Sequence, residues 1–414
     1  MIRFFVLAGM IVGVGAANAL SIRHDVADSQ YTAAAASIPV AVIDYNTVTY
    51  KVSGILINDR YVLTAAHNLR SDVNKIRING VDYTRVTWVK HPEPPLDLNN
   101  LLNGYDFSII KLNTRVLNIA PIPIYESTYG GGTVTIAGAG VLANGTNGYT
   151  NDGTYIPRAG QNKLEIDSSL PNVFISDFDN AAGTGNSLDF LGSQATPTAR
   201  ECNVIYGDSG GPCIATIASK QYVVATTSTL ADFNENSKLA DYGDLSFYSR
   251  VSMAASWIKD NSWEPGRVEG IVSLSQLAAG ATPLNRQLTV KLRNVGSQAS
   301  IETINLPLAI NGGFSFVTSQ RGSFDLLFSC PGFLDKKVAN ITITNTSKPV
   351  VNVTLGNGDC DDDNEVGAGD FDIVVANFAN STTDPTLGDL DGDGEVGSGD
   401  FDIVVNNFTN SGDV

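Results

Sequence analysis

Short runs rich in β-branched and aromatic residues are the feature that most limits what this chain can fold into. From about Ser37 to Ser228 they alternate with Gly, Asn, Asp and Pro, as in TVTYKVSGILI, YVLTAAH, FSIIKL, TVTIAGAGV and YVVATTSTL. Runs bounded by turn residues in this way are typical of strands in an antiparallel barrel or sandwich. Patterns of long helices are few, and Gly supplies 40 of the 414 residues. The sequence therefore predicts a mainly β protein.

The chain divides into modules, because 414 residues exceed what one ordinary core accommodates. The stretch SRVSMAASWIKDN predicts a helix with Val251, Ala254 and Ile258 on one face, and SWEPGR after it resembles a linker. Alternation then becomes regular, as in LTVKLRN and SFDLLFS. About seven such strands over residues 268–355 predict a small β-sandwich, and that segment shows no catalytic constellation.

A repeated acidic segment follows Gly356. The stretch GDCDDDNEVGAGDFDIVVANFANS recurs thirty positions later as GDLDGDGEVGSGDFDIVVNNFTNS. The segment holds fifteen Asp and Glu residues and no Lys or Arg, so it carries most of the net charge of −17. Acidity this dense indicates either a disordered tail or a cation site. No basic patch stands out elsewhere, so the sequence predicts no nucleic-acid partner.

Acidic residues of each repeat fall at positions 1, 3, 5 and 12 of a loop, with a Glu at position 7. This is the spacing of a Ca²⁺-binding loop, in which position 7 supplies a backbone carbonyl. Position 6 needs a sharp turn, for which Gly394 is suited and Asn364 is tolerated. The sequence therefore predicts two Ca²⁺ sites. Their ligands are Asp359, Asp361, Asp363, Glu365 and Asp370 in the first repeat, and Asp389, Asp391, Asp393, Glu395 and Asp400 in the second.

The N-terminus predicts export. A basic residue precedes a short apolar run, and Ala17-Asn18-Ala19 fits a small-x-small cleavage site. A signal peptide over residues 1–19 leaves Leu20 first and makes the protein secreted. The apolar run is too short for a comfortable membrane span, and no second one is present. The sequence thus predicts no membrane attachment.

Export also decides what the four cysteines can do. In an oxidising compartment they can form two disulfides, and the alternative is that they remain buried free thiols. A bridge from Cys202 to Cys213 would close a short loop, worth about 3 kcal/mol in the chain-entropy model. A bridge from Cys330 to Cys360 would tie the acidic tail to the preceding module.

One serine, Ser209, lies among glycines in NVIYGDSGGPCIA. A serine hydroxyl is a weak nucleophile unless a base lies beside it and a site stabilises the oxyanion. The sequence offers only three histidines as the base, His24, His67 and His91. Of these, His67 is set apart because it ends the apolar run YVLTAAH.

The stretches LTAAHNL, YDFSIIKL and GDSGGP occur in that order and resemble the three signatures of the trypsin/chymotrypsin-like serine proteases. The stretch YSRVSMAASWIKDN also resembles the closing strand and helix of that family, so the resemblance covers roughly Ile22 to Asn261. It implies a two-barrel protease domain over residues 20–261. It also implies a serine endopeptidase that acts on protein or peptide substrates and needs no cofactor for catalysis.

The resemblance assigns a role to each matching residue. Ser209 attacks the carbonyl, His67 takes and returns the proton, and Asp106 holds the imidazole. The N–H groups of Gly207 and Ser209 form the oxyanion hole. The acid before the serine, Asp208, pairs in this family with a new N-terminal amine.

One possible counterpart for that amine is Ile22, although the signal cleavage leaves Leu20 first. The two glycines that usually follow this position are also replaced, by His24 and Asp25. The sequence therefore leaves open whether the enzyme is made as a zymogen.

The substrate pocket follows from the same alignment. Trypsins carry an acid six residues before the serine, where this chain has Asn203. Ser228 and Leu230 fall on one wall of the pocket, and Ser246 falls on the opposite wall. Because no carboxylate is evident there, we expect preference for small or medium uncharged side chains.

Two Ca²⁺-type loops, each followed by an apolar helix such as FDIVVANF and with no helix before, resemble the dockerin module over residues 357–414. This resemblance implies a cohesin-type partner and a polysaccharide-associated setting. Loop positions 10 and 11, which often select the partner, are Ala368-Gly369 and Ser398-Gly399. The alternative is a Ca²⁺-stapled module that packs on its own chain. In either case we expect the apolar residues of the two helices to form a small shared core.

The sequence thus favours an exported serine endopeptidase with a sandwich spacer and a Ca²⁺-binding tail. One alternative is a protease fold that has lost activity and acts as a docking or binding component, against which the complete triad argues. Another is that the same triad cleaves esters instead of peptides.

Overall fold

The computed structural model describes residues 20–94, 98–149 and 155–414. The signal peptide expected over residues 1–19 lies outside the described residues. The chain forms two compact units, one running up to Arg115 and from Pro121 to Ser262. The other unit comprises Val116–Ala120 and Trp263–Val414.

Strands dominate the first unit. In chain order they are β1 (Ser21–Ile22), β2 (Val40–Tyr45), β3 (Val52–Asn58), β4 (Tyr61–Thr64), β5 (Val73–Ile78), β6 (Val81–Tyr83), β7 (Arg85–Lys90), β8 (Ser108–Leu112), β9 (Gly132–Gly138), β10 (Ala143–Asn144), β11 (Gly148–Tyr149), β12 (Arg158–Leu164), β13 (Val173–Ser176), β14 (Cys202–Asn203), β15 (Pro212–Ile217), β16 (Lys220–Ala231) and β17 (Leu245–Arg250). The helices are α1 (Asp28–Ala35) and α2 (Val251–Asn261), with short 3₁₀ turns at Leu98–Asn103 and Asp189–Leu191.

Two curled sheets carry most of these strands. One has seven strands in the order β6-β5-β2-β3-β4-β8-β7, and the other has six in the order β12-β9-β15-β16-β17-β13. A small third sheet, β11-β10-β1-β14, places the N-terminal strand β1 between β10 and β14. This part of the chain is mainly β, as the short strand runs predict.

Helix α2 closes the first unit. Val251, Ala254 and Ile258 are buried, which confirms the predicted face. They pack in one apolar cluster with residues of both large sheets, such as Ile55 and Ile214. Burying a side chain such as Val or Ile contributes about 1.5–3 kcal/mol. The helix therefore joins the two sheets through a shared core.

The second unit contains two further sheets. Its strands are β18 (Arg267–Leu274), β19 (Gln287–Asn294), β20 (Ser300–Pro307), β21 (Gly313–Val317), β22 (Gly322–Cys330), β23 (Gly332–Ile343), β24 (Val350–Leu355) and β25 (Asn357–Asp359). The sheet orders are β21-β18-β24 and β20-β19-β22-β23-β25. Both sheets contribute to one apolar cluster. The alternation predicted for β19 is confirmed, because Leu288, Val290 and Leu292 are all fully buried.

Two helices, α3 (Ala368–Ala376) and α4 (Ser398–Asn407), follow the two acidic loops, with a 3₁₀ turn at Pro385–Leu387 between them. Their buried core includes Val374 and Val404, and it also includes Leu334 from β23. The expectation that the helices' apolar residues share one core is therefore wrong in part. Four of those residues are 47–53% exposed, namely Val375, Phe378, Val405 and Phe408. Leu334 of β23 packs against the buried residues of the two helices, and the four exposed side chains therefore remain on the surface.

The four cysteines are buried free thiols, so neither predicted disulfide is present in this structure. Burial raises the pKa of Cys330 to about 12, and it raises the pKa of Cys202 and Cys213 as well. A thiol that stays protonated is a poor partner for disulfide exchange. No helix in the described stretches of the chain is long and apolar enough to cross a membrane.

Candidate active site and acidic loops

His67 and Asp106 meet at one end of the seven-stranded sheet. Strands β4 and β8 pair antiparallel with Thr64 opposite Ser108, so residues just after β4 and just before β8 lie together. The His67 Nδ1 atom lies 2.7 Å from Asp106 Oδ2, and the His67 backbone N–H donates to Asp106 Oδ1 at 3.1 Å. These two contacts fix both the position and the orientation of the imidazole.

Asp106 is fully buried and still favours its charged form. Burial opposes ionisation, but the His67 imidazole and the hydrogen bonds from His67 and Ser228 outweigh it and hold the pKa of Asp106 below its ordinary value. The Ser228 hydroxyl donates to Asp106 Oδ2 at 2.6 Å. Ser228 is predicted as a pocket residue, and in the structure its hydroxyl also contacts the predicted orienting acid.

Ser209 is half-buried, and its backbone is tied to the segment that carries His67. The Ser209 carbonyl accepts a hydrogen bond from Asn68 Nδ2 at 2.7 Å and another from the Ser53 N–H at 3.1 Å. Asn68 directly follows His67 in the chain. A Cβ atom on Gly210, whose φ is 81°, would collide with Thr64. The predicted nucleophile and base therefore lie on two loops that pack closely against each other.

Gly207 shapes the turn before Ser209. Its φ is 89°, and a Cβ there would lie 2.7 Å from the Gly140 Cα atom, so a glycine is required on both grounds. Within the described residues, the N–H groups of Gly207 and Ser209 have no acceptor in the protein. Two unengaged N–H groups beside a serine are what an oxyanion hole requires.

The predicted pocket residues Asn203 and Ser246 are both fully buried and lie in contact. The Ser246 hydroxyl donates to Asn203 Oδ1, and the Val204 N–H donates to the same oxygen at 3.0 Å. Leu230 lies opposite Ser246 in the pairing of β16 with β17 and is half-buried. The group formed by Asn203, Leu230 and Ser246 thus holds no charge.

Sequence reasoning missed an acid close to this group. The backbone carbonyl of Asp244 accepts a hydrogen bond from Asn203 Nδ2 at 3.4 Å. Its carboxylate accepts the N–H groups of Phe233 at 3.0 Å and Ala240 at 2.7 Å. Burial raises the pKa of Asp244 to about 7. The Asp244 side chain thus holds the loop between β16 and β17 through these two hydrogen bonds.

Asp208, the acid before Ser209, meets the N-terminal segment. Its Oδ2 atom accepts the Leu20 N–H at 3.1 Å and the Ile205 N–H at 2.9 Å, whereas Ile22 lies inside strand β1 opposite Cys202. In this structure Leu20, and not Ile22, therefore lies at the carboxylate. Only an alignment through the family's usual N-terminal residue pointed to Ile22, whereas the strand pairing places Leu20 at the carboxylate.

A family model described as trypsin matches residues 28–258, which is more than half of the chain. The chain belongs to the trypsin family. Its trypsin domain coincides with the sheets that carry His67, Asp106 and Ser209, and the family supports a serine protease-type hydrolase acting on peptides. No curated protein matches the chain.

Outside the trypsin domain, the structure brings together the predicted ligands at positions 1, 3 and 5 of each acidic loop. Within each loop, one carboxylate oxygen from each residue lies within 4.8 Å of the others, as found for Asp359, Asp361 and Asp363 and for Asp389, Asp391 and Asp393. Position 6 turns sharply as expected, with φ of 69° at Asn364 and 96° at Gly394.

The carboxylates at position 12 make backbone contacts. Asp370 Oδ1 accepts the Cys360 N–H at 2.5 Å, and its Oδ2 accepts the Gly367 N–H at 2.7 Å. Asp400 repeats the arrangement with Leu390 and Gly397, both at 2.7 Å. Each position-12 acid therefore ties the first turn of its helix to the start of its loop. The position-7 residues lie in short bridges, Glu365 with Ser411 and Glu395 with Ser381.

The carboxylates of the acidic loops lie close together in a segment that contains no Lys or Arg. Burial, with repulsion from neighbouring acids, raises the pKa of Asp359 to about 7 and raises that of Asp389. Asp389 is fully buried, and its Oδ2 has no hydrogen-bond partner within the described part of the chain. A buried carboxylate oxygen without a partner is costly unless a cation satisfies it.

The tail shares hydrogen bonds with the strands of its own unit. Asn357 Nδ2 donates to the carbonyls of Ser275 at 3.1 Å and Leu390 at 2.9 Å. The Ala278 N–H donates to the Asp391 carbonyl at 2.9 Å. The β25 strand that begins the first acidic loop also pairs with β23 of the five-stranded sheet. The acidic loops are thus built into this unit.

Proposed function

We propose that the chain is an exported serine endopeptidase in which Ser209, His67 and Asp106 form the catalytic triad. The observation that carries the proposal is the buried Asp106, held by His67 and Ser228 next to a loop packed against Ser209. A side chain in the position of Asp106 stabilises the imidazolium that forms when His67 takes a proton.

In this mechanism the Ser209 hydroxyl oxygen attacks the scissile carbonyl carbon while His67 takes its proton. The carbonyl oxygen becomes an oxyanion that accepts from the N–H groups of Gly207 and Ser209, each worth about 3 kcal/mol to the transition state. His67 then gives the proton to the leaving amine, and an acyl ester remains on Ser209. Water, activated by His67 in turn, releases the acid and restores the serine.

The pocket determines which bonds are cut. Peptide amides with a small or medium uncharged residue before the scissile bond should be cleaved with higher kcat/KM than those with Arg or Lys, because Asn203, Leu230 and Ser246 offer no charge there. Replacing Asn203 with Asp should raise the relative kcat/KM for Arg, since it supplies a carboxylate. A peptide-library profile of both proteins measures this. A strong Arg preference in the unaltered protein would refute the assignment.

We further propose that the tail is a dockerin-like module holding two Ca²⁺ ions, attached to a β-sandwich spacer. Asp359, Asp361 and Asp363 would hold one ion and Asp389, Asp391 and Asp393 the other. The Glu365 and Glu395 carbonyls and the acids Asp370 and Asp400 would complete the sites. The orphaned oxygen of Asp389 and the convergence of carboxylates support this assignment. Bound Ca²⁺ supplies the positive charge that these loops lack.

Removal of Ca²⁺ should loosen the tail and leave the protease active. In the full-length protein, EDTA should increase amide hydrogen exchange in α3, α4 and both acidic loops, because ion binding and folding are coupled there. Replacing Asp361 and Asp391 together with Ala should do the same in the presence of Ca²⁺. The matched control is Asp372 and Asp402 together to Ala, which removes the same charge from exposed helix positions. If the rate of amide hydrogen exchange in the tail changes neither with EDTA nor with the Asp361/Asp391 substitutions, the Ca²⁺ sites are refuted.

A docking role for the tail is favoured by one observation. Val375 in α3 and Val405 in α4, together with Phe378 and Phe408 just beyond the ends of those helices, occupy equivalent places in the two repeats and are about half exposed. A cohesin-type partner would cover such paired apolar positions, whereas the contacts with Ser275 and Ala278 support the alternative of packing on its own chain. Binding to an immobilised cohesin domain, with and without EDTA, distinguishes the two. Ca²⁺-dependent binding is expected for docking.

A further inference from the structure

Four acidic side chains are buried near one another in the first unit, around the end of strand β13. They are Glu165, Asp177, Asp179 and Glu201, each at most 7% exposed. The Glu165 N–H donates to the Ile175 carbonyl at 2.8 Å, which places Glu165 beside β13. Burying a carboxylate is costly unless hydrogen bonds or a positive charge compensate for the lost water. The contacts of each carboxylate therefore decide what this group of acids can bind.

Two of the four carboxylates accept hydrogen bonds from backbone N–H groups. Glu201 Oε1 accepts the Asp179 N–H at 2.7 Å, and its Oε2 accepts the Thr198 N–H at 2.5 Å. Asp177 Oδ2 accepts the Leu188 N–H at 2.9 Å. These two side chains thus hold the segment between β13 and β14 in place.

The other two carboxylates each have a buried oxygen without a partner. Asp179 is 3% exposed, and its Oδ1 has no hydrogen-bond partner among the residues that the structure describes. The same is true of Glu165 Oε2, while Glu165 Oε1 lies 2.8 Å from Lys163 Nζ. Burial, with repulsion from Asp177 and Glu165, raises the pKa of Asp179 to about 7. The two unpartnered oxygens therefore lie among acids and lack a positive charge.

We propose that Asp179 and Glu165, with Asp177 beside them, bind one Ca²⁺ ion in the trypsin domain. The donors are carboxylate oxygens, with no nitrogen or sulfur ligand among them, which suits Ca²⁺. Of the residues described, only those in the tail form groups of three acids within 4.8 Å of one another, so this site is more open. Ca²⁺ accepts irregular sets of about six to eight oxygens that include water. Water ligands would therefore complete the coordination of an ion held by Asp179 and Glu165.

The ion would stabilise the strands behind the substrate pocket. Ser176, which ends β13, lies opposite the pocket residue Ser246 in the pairing with β17. Asn162 Nδ2 donates to the carbonyls of Asp177 at 2.6 Å and Cys202 at 3.0 Å, so it ties the end of β13 to β14. Because the proposed ligands are not among the reacting groups, loss of the ion should lower the unfolding temperature of the trypsin domain. The activity at room temperature should remain.

The test counts the ions bound to the full-length protein. Equilibrium dialysis against Ca²⁺, with the bound metal measured by mass spectrometry, should find one ion fewer in Asp179→Asn than in the unaltered protein. The same difference is expected when both proteins also carry Asp361→Ala and Asp391→Ala, so the result does not depend on Ca²⁺ in the tail. The matched control is Asp167→Asn, because Asp167 is also buried but its Oδ1 accepts the Ser169 N–H and hydroxyl, both at 2.8 Å. This control should bind as many ions as the unaltered protein.

Calorimetric unfolding provides the second measurement. In the Asp361/Asp391 variant, Ca²⁺ at about 100 times its dissociation constant should raise the unfolding temperature of the trypsin domain by about 5 °C or more over its value in EDTA. Adding Asp179→Asn should abolish this rise. If Asp179→Asn fails to fold, Glu165→Gln tests the same site and should bind the ion about 10-fold more weakly.

Equal ion counts in Asp179→Asn and the unaltered protein would overturn the inference, as would a rise in unfolding temperature that persists in Asp179→Asn. The inference also fails if Asp179→Asn is the more stable protein at every Ca²⁺ concentration, because the Asp179 carboxyl would then be held protonated and not ion-bound.

Discussion

Replacing Ser209 or His67 with Ala will lower kcat for peptide amides about 10⁶-fold, the loss seen when the nucleophile or base is removed from other serine proteases. Without the Ser209 oxygen no acyl ester forms, and without His67 the hydroxyl keeps its proton. Stopped assays with purified variants at high protein concentration measure the residual rate.

The other two histidines provide controls for this result. His24 is exposed, and its ring contacts the Tyr242 hydroxyl, so His24→Ala should retain most activity. His91 is buried, stacked on Tyr105 at 4.8 Å and edge-on to Trp257 at 5.0 Å, so His91→Phe preserves the packing better than Ala does. A His91→Phe protein as inactive as His67→Ala would show that the base has been misassigned.

Asp106→Asn should cost about 10⁴-fold in kcat with little change in the fold. The Asn side chain fills the same buried space but carries no charge, so it no longer stabilises the imidazolium. An amide N–H pointed at Nδ1 would also favour the wrong tautomer of His67. The measurement is kcat at several pH values, beside thermal unfolding of both proteins. An Asp106→Asn protein with more than a tenth of the original kcat would contradict the assigned role.

A smaller effect is expected at Ser228, which donates to the same carboxylate. Ser228→Ala removes one hydrogen bond and leaves the charge and the His67 contacts in place. Its kcat should therefore lie between those of the unaltered protein and Asp106→Asn. This ordering separates the orienting role of Ser228 from a role in the substrate pocket.

Much of the fold was predictable where local periodicity decides it. The buried face of α2 and the alternation of Leu288, Val290 and Leu292 follow directly from side-chain spacing in a helix and a strand. The exposed Val375 and Phe378 could not be predicted, because their burial depends on whether another element covers them. Leu334, a strand residue distant in the chain, fills the core that they were expected to complete.

The site shows the same division. Ser209, His67 and Asp106 each lie in a local sequence signature, and the structure brings His67 and Asp106 into contact. The contacts of Asn68, Ser228 and Leu20 carry no such signature, because they join residues distant in the chain. The Leu20–Asp208 contact spans 188 positions, and only the pairing of β1 with β10 and β14 reveals it.

The most direct test of the proposed protease is active-site labelling of the protein that begins at Leu20. A fluorophosphonate should label it close to one to one, and the Ser209→Ala protein should remain unlabelled. The same preparation should hydrolyse peptide amides and not only esters, which separates an endopeptidase from an esterase. Absent labelling, or labelling that persists in Ser209→Ala, would contradict Ser209 as the nucleophile and with it the proposed function.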